Sequence, residues 1–330
     1  MKGISQRTDA DAHGIRERKG TMKRHVVRLA HEISHVTGMA LRKARAVRQP
    51  RVLMYHTVDA DGITTDVFRA QLDVIRREFE PIALPSLLER YRDGRCTGRE
   101  IALTFDDGVR NHLTTVYPLL RDASVPATFF LCSGLIDSGH WIWNTEVRVR
   151  LQSLGAGPRK ALAAREGWPA HEVEALVEWG KGLAPVRREA FENAVRAHTP
   201  SFEPTPLQND LYAPMTWDEV KSLDPALITI GSHTVSHPIL TTLSAQEQTE
   251  ELTASRARLE AQLGREVDIF CYPNGDSDPG VVEAVRHSYT WAVTTEESFW
   301  GPGHDPCRLP RVPAAPHHAL FVRRLHKPTC

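Results

Sequence analysis

From Arg51 onward, short apolar runs alternate with amphipathic ones. RVLMYH (51–56) reads as a buried strand, and FRAQLDVIRREF as the helix after it. EIALTF is a strand ending at Phe105, NHLTTVYPLLRDA a helix, and PATFFLCSG another strand. Further on, LITIGS, VDIFCY and YTWAVTT read as strands. AQEQTEELTASRARLEAQLG, with Leu252, Leu259 and Leu263 along one stripe and Gly264 closing it, and PGVVEAVRHS read as the helices between them. Nearly continuous apolar strands separated by helices predict a parallel sheet covered by helices. The sheet is either doubly wound or closed as a barrel.

Two stretches break the alternation. Between about 137 and 214, segments such as LAAREGWPAHEVEALVEWGKG and VRREAFENAVRAH read as helices divided by Gly and Pro, which predicts a helical insertion. Residues 1–47 form a basic extension in which Leu29, Ile33, Val36 and Ala40 recur at helical spacing. It is expected to pack on the main domain of residues 48–330, a peripheral membrane or partner contact being the other option.

Composition narrows the partners. The 330 residues carry 41 basic and 41 acidic side chains, a balance that argues against nucleic acid and for an uncharged or mixed-charge ligand. Five widely spaced cysteines without a C-x-x-C pair point to reduced thiols. No apolar run spans a bilayer, and VVRLAHEISHV is interrupted by Arg28, His31 and Glu32, which spoils an export signal. A cytoplasmic location is expected.

The chemistry lies at strand ends. EIALTF leads into Asp106, Asp107 and a glycine, and two adjacent like charges resist joint ionisation unless a cation relieves them. The plain alternative is a polar turn in which Asp107 caps the next helix. After LITI comes GSHTVSHP, whose His233 and His237 are four apart. Two imidazoles and a carboxylate suit zinc, iron, cobalt or nickel and leave coordination positions open. In parallel α/β proteins ligands bind at the C-terminal strand ends, where both segments are predicted to meet. His56 ends the first strand, and Tyr272-Pro273-Asn274-Gly275 forms a turn after a later one. HEISH at 31–35 matches the zincin pattern, which would make a metalloprotease of His31, Glu32 and His35.

TFDDG, the HTVSH pair, the YPNG turn and the late RLPRV segment together resemble the polysaccharide deacetylases of the NodB-homology type, carbohydrate esterase family 4. The MYH strand and the YPNG turn look like the branch that includes poly-N-acetylglucosamine deacetylases. The resemblance runs from about 51 to about 312 and implies a distorted (β/α) barrel with fewer than eight regular units. It implies that Asp107, His233 and His237 hold a divalent metal, zinc first, with cobalt, nickel or iron as alternatives. Asp106 would be the general base. A backbone N–H within Tyr272, Pro273 and Asn274 would face the oxyanion, and the substrate would be an N-acetylated or O-acetylated glycan.

The sequence departs from the commonest family pattern at two places. Cys271 stands where an arginine orients the base, and Asn274 stands in place of a tyrosine; no late Leu-x-His supplies the acid. The expected substitutes are His56 as acid and Arg311 as the residue that orients Asp106. Such departures also leave room for a glycan binder without turnover. Trp141 and Trp143 are candidates for stacking on sugar or for anchoring a core or lid.

Overall fold

The computed structural model describes residues 38–60 and 62–329. The strands are β1 (Arg51–Tyr55), β2 (Glu80–Pro81), β3 (Glu100–Phe105), β4 (Ala127–Leu131), β5 (Ile228–Ser232), β6 (Ile269–Cys271), β7 (Trp291–Glu297) and β8 (Leu309–Pro313). All pairings between them are parallel. Seven of them close on themselves in the order β1-β3-β4-β5-β6-β7-β8, since β1 pairs with both β3 and β8; β2 adds an edge on β3. The fold is therefore the closed barrel and not the doubly wound sheet, with fewer than eight units.

The strand that completes the ring escapes the hydrophobic pattern. LPRVP has prolines at 310 and 313, and proline is rarely tolerated in a central strand because it donates nothing to the ladder. Its register with β7 is irregular between Val293 and Glu297, opposite Leu309 to Arg311, where Pro310 has no donor to give; Pro313 stands at the strand's end, across from Met54 of β1. The helix Leu84–Arg92 also went unread, being short and entered through Ala83-Leu84-Pro85. After Gly108, the expected helix opens with a π-helical turn at His112–Val116 before Tyr117–Ala123.

Between β4 and β5 stand the helices Ser133–Ser138, Trp143–Ser153, Ala156–Glu166, Val173–Lys181, Pro185–Ala197, Pro206–Tyr212 and Trp217–Lys221. Those from Trp143 to Ala197 surround a core of their own, which includes Leu176, Val177, Phe191 and Val195. Trp143 belongs to that core and is 5% exposed; Trp141 is 9% exposed and packs on Tyr212 and Phe202. Both tryptophans anchor the insertion, which removes them as sugar platforms. Ala40 is buried in the helix Met39–Ala46, whereas Leu29, Ile33, Val36 and HEISH lie outside the described residues. No described helix is long and apolar enough to cross a membrane.

The end of the barrel opposite the C-terminal strand ends is pinned by one side chain. Arg51 is fully buried and donates to the carbonyls of Leu325 (2.8 Å), Gly98 (2.7 Å) and Ala44 (2.6 Å). Its guanidinium sits 4.7 Å from the Phe79 ring centre and 5.4 Å from that of Phe299. It thereby joins the first helix, the approach to β3 and the end of the helix His318–Arg324. Arg51→Met would strand these carbonyls, each costing roughly 1–3 kcal/mol when buried unpaired. We expect urea unfolding to show a loss of about 3 kcal/mol or more; a loss below about 1 kcal/mol would show that the base is held by other means.

Candidate active site

The paired aspartates emerge where β3 ends, and the backbone turns sharply to present them. Asp107 has φ 83° and Gly108 φ 70°, a region that disfavours side chains; a Cβ on Gly108 would also overlap Leu131. Thr234 (φ 70°), His237 (φ 58°) and Asn274 (φ 57°) share this conformation. Four of the six non-glycine residues with positive φ among the described residues thus cluster at one end of the barrel. Each costs on the order of 1–3 kcal/mol, which the surroundings must offset.

The surroundings of the 233–237 loop supply that support. Glu251 accepts from the Val235 and Ser236 amides (2.7 and 3.0 Å) and from the Ser236 hydroxyl (2.6 Å). The Ser255 hydroxyl donates to the Thr234 carbonyl at 2.9 Å, and the Thr234 hydroxyl accepts from the His237 amide at 3.0 Å. Sequence reasoning passed over Glu251 and Ser255 because their helix carries an ordinary amphipathic pattern.

His233 Nε2 and His237 Nε2 each lie 3.6 Å from Asp107 Oδ1. Two ligands on a tetrahedral zinc, each at about 2.1 Å, stand about 3.4 Å apart, so the triad has the spacing of a ligand set. His233 Nδ1 donates to the Cys271 carbonyl at 2.7 Å, which fixes the ring and leaves Nε2 to the site. Burial, more than any neighbour, pushes His237 down to about 4. The buried His237 Nδ1 has no partner among the described residues. Burial opposes ionisation of Asp107, but the interaction with His233 outweighs it and holds the carboxyl well below the ordinary range.

Asp106 has other partners. Its two oxygens accept from Arg311 Nη1 and Nη2 at 2.7 Å each, and both residues are buried. Arg311 also reaches the Thr104 hydroxyl (2.9 Å), the Thr294 carbonyl (2.8 Å) and Cys271 Sγ (3.2 Å). Burial would raise the Asp106 carboxyl, yet the guanidinium outweighs it and keeps a carboxylate. Asp106, His233 and Cys271 form a second cluster of metal-binding side chains. Arg311 already lies against two of its three members, and a fixed positive charge there opposes a divalent cation. The cation-compatible set is Asp107, His233 and His237.

These groups open onto a cleft of about 250 Å³. His56, exposed just beyond β1, lines it, as do Tyr272 and Asn274. The Tyr272 ring is turned into the core, where its hydroxyl donates to the Cys307 carbonyl at 2.7 Å. Its amide donates to the Val293 carbonyl, and Pro273 has none, so Asn274 carries the amide of this turn that remains for a ligand. Gly275 (φ 80°) lies so close to Thr295 that a Cβ would overlap its hydroxyl. Asn144, Thr145 and Arg148 from the insertion form part of the facing wall. Cys96, Cys132, Cys271 and Cys307 are free thiols.

Removing one ligand tests the cation set directly. His237→Ala and His233→Ala should each weaken Zn(II) binding at least about 100-fold, measured by competition with a chromophoric chelator, while Asp106→Asn retains it. Equal retention in all three would exclude this triad as the site.

Comparison with known proteins follows the same outline. Among curated proteins none matches. The Streptococcus pyogenes deacetylase PplD, solved with acetate, has 18% identity and a TM-score of 0.59, over 85% of this chain and 97% of that one. IcaB from Ammonifex degensii has 19% identity and a TM-score of 0.56, over 84% of this chain and 97% of that one. A de-N-acetylase from Aggregatibacter actinomycetemcomitans has 15% identity and a TM-score of 0.52, over 80% and 94% respectively. These likenesses establish a shared barrel. The polysaccharide deacetylase family model matches residues 93–290, which takes in both aspartates, both histidines and the insertion. By that match, over more than half of its length, the chain belongs to the polysaccharide deacetylase family.

Proposed function

We propose that this protein hydrolyses acetyl groups from the amino sugars of an acetylated glycan, using a divalent cation at Asp107, His233 and His237 and Asp106 as the base. The observation that carries this reading is the division of two adjacent carboxylates between opposite partners. Asp107 faces two imidazoles, while Asp106 is gripped by Arg311. Zinc suits the donor set best, with cobalt, nickel or iron as alternatives. When bound, such a cation supplies Lewis-acid polarisation of a carbonyl and lowers the pKa of water.

The chain's own groups provide the rest. Arg311 occupies one lone pair on each Asp106 oxygen and fixes the carboxylate plane, and the remaining lone pairs can take the proton of an attacking water. The Asn274 N–H is the donor for the developing oxyanion. His56, at the cleft wall, donates a proton to the departing amine. A proton donor at the cleft wall suits an amide substrate, because an amine leaves only when protonated, whereas an alkoxide leaves more readily; the structural neighbour described as a de-N-acetylase points the same way.

Acetate release from N-acetylated and O-acetylated oligosaccharides tests the proposal. Chelation should abolish release and metal add-back restore it. Asp106→Asn should lower kcat about 10²–10⁴-fold with bound metal unchanged. His56→Ala should lower release from N-acetyl substrates; unchanged release would remove His56 from the acid role. If no substrate gives metal-dependent acetate, a glycan-binding role without turnover takes the place of this one.

A further inference from the structure

The His56 ring makes no hydrogen bond among the described residues, so its direction depends on how its backbone is held. Two consecutive side chains hold it. His112 Nε2 lies 2.8 Å from the His56 carbonyl, and Asn111 Oδ1 accepts from the Val58 amide at 2.9 Å. The short segment 56–58 is thus gripped at both ends from the entrance of the π-helical turn that follows the paired aspartates. Asn111 Nδ2 donates to Asp210 at 3.2 Å, which brings the helix Pro206–Tyr212 into the same clamp.

His112 is an odd choice for a purely structural position. It is fully buried, with its ring against Phe129 (4.8 Å between centres) and Phe105 (5.6 Å). A carbonyl only accepts, so Nε2 carries the proton and Nδ1 is left as a bare acceptor; Nδ1 is indeed buried without a partner among the described residues. Burial pushes His112 down to about 4, so this neutral tautomer persists across the working pH range. An unpaired buried acceptor is destabilising. Phenylalanine would fill the aromatic slot without that cost, so what the imidazole adds is its bond to the His56 carbonyl.

We propose that His112 is a positioning residue, whose Nε2–H holds the His56 carbonyl and so aims the His56 imidazole at the leaving group. The inference rests on the reading of His56 as acid, and leaving-group dependence separates the two. An amine needs the proton, whereas the 4-nitrophenolate of 4-nitrophenyl acetate departs without it.

His112→Phe should lower acetate release from an N-acetylglucosamine oligomer about 10-fold or more, chiefly in kcat, for the misplacement of a reacting group. It should leave 4-nitrophenyl acetate hydrolysis, Zn(II) affinity and the melting temperature unchanged or improved. His112→Gln, whose amide can reach the same carbonyl, should recover much of the N-acetyl activity. Equal loss on both substrates would make His112 a structural residue and overturn the proposal, as would full N-acetyl activity in His112→Phe. The control His56→Ala reports on the parent reading: if it spares N-acetyl hydrolysis, that reading fails by itself, whatever His112 does.

Discussion

One buried guanidinium ties the barrel together. Arg311 enters from β8, the strand that closes the ring, and bonds to Thr104 on β3, to Asp106 just beyond it, to Cys271 on β6 and to Thr294 on β7. It also lies 5.9 Å from the Phe130 ring centre on β4. Burying such a charge is expensive unless it is paired and every donor satisfied. The carboxylate that satisfies it is the one next to Asp107, which faces His233 and His237. Closure of the fold and the protonation state of Asp106 are therefore set by the same contact, and neither can be altered alone.

That coupling explains which parts of the molecule the sequence discloses. Periodicity reveals β1, β3, β4, β5, β6 and β7 because their interiors are continuous apolar runs. It misses β8, whose prolines argue against a central strand, and so leaves the sheet open or closed. The paired aspartates and the two histidines stand out as charge and spacing anomalies at strand ends. Arg311 is visible only as part of a motif, since nothing local says that a guanidinium 205 residues downstream meets Asp106. His112 gives no local signal at all, because a lone histidine in an amphipathic stretch reads as an ordinary helix position.

The barrel and the insertion divide the labour around the cleft. The strand ends carry the clustered carboxylates and imidazoles, and the strained backbone of the 233–237 loop is stabilised from behind by Glu251 and Ser255. The insertion has a separate aromatic core and lends the cleft Asn144, Thr145 and Arg148 as one wall. Because Trp143 is committed to that core and Trp141 packs on Phe202 and Tyr212, the wall is fixed in shape by packing.

Arg51 has a topological consequence. By gathering Ala44, Gly98 and Leu325 at the base, it brings the first and last described helices side by side on the end away from the cleft. Whatever precedes Gly38 or follows Thr329 is attached there. A segment joined at either end would leave the cleft end of the barrel unobstructed, so access to the cleft does not depend on how the two ends of the described chain are continued.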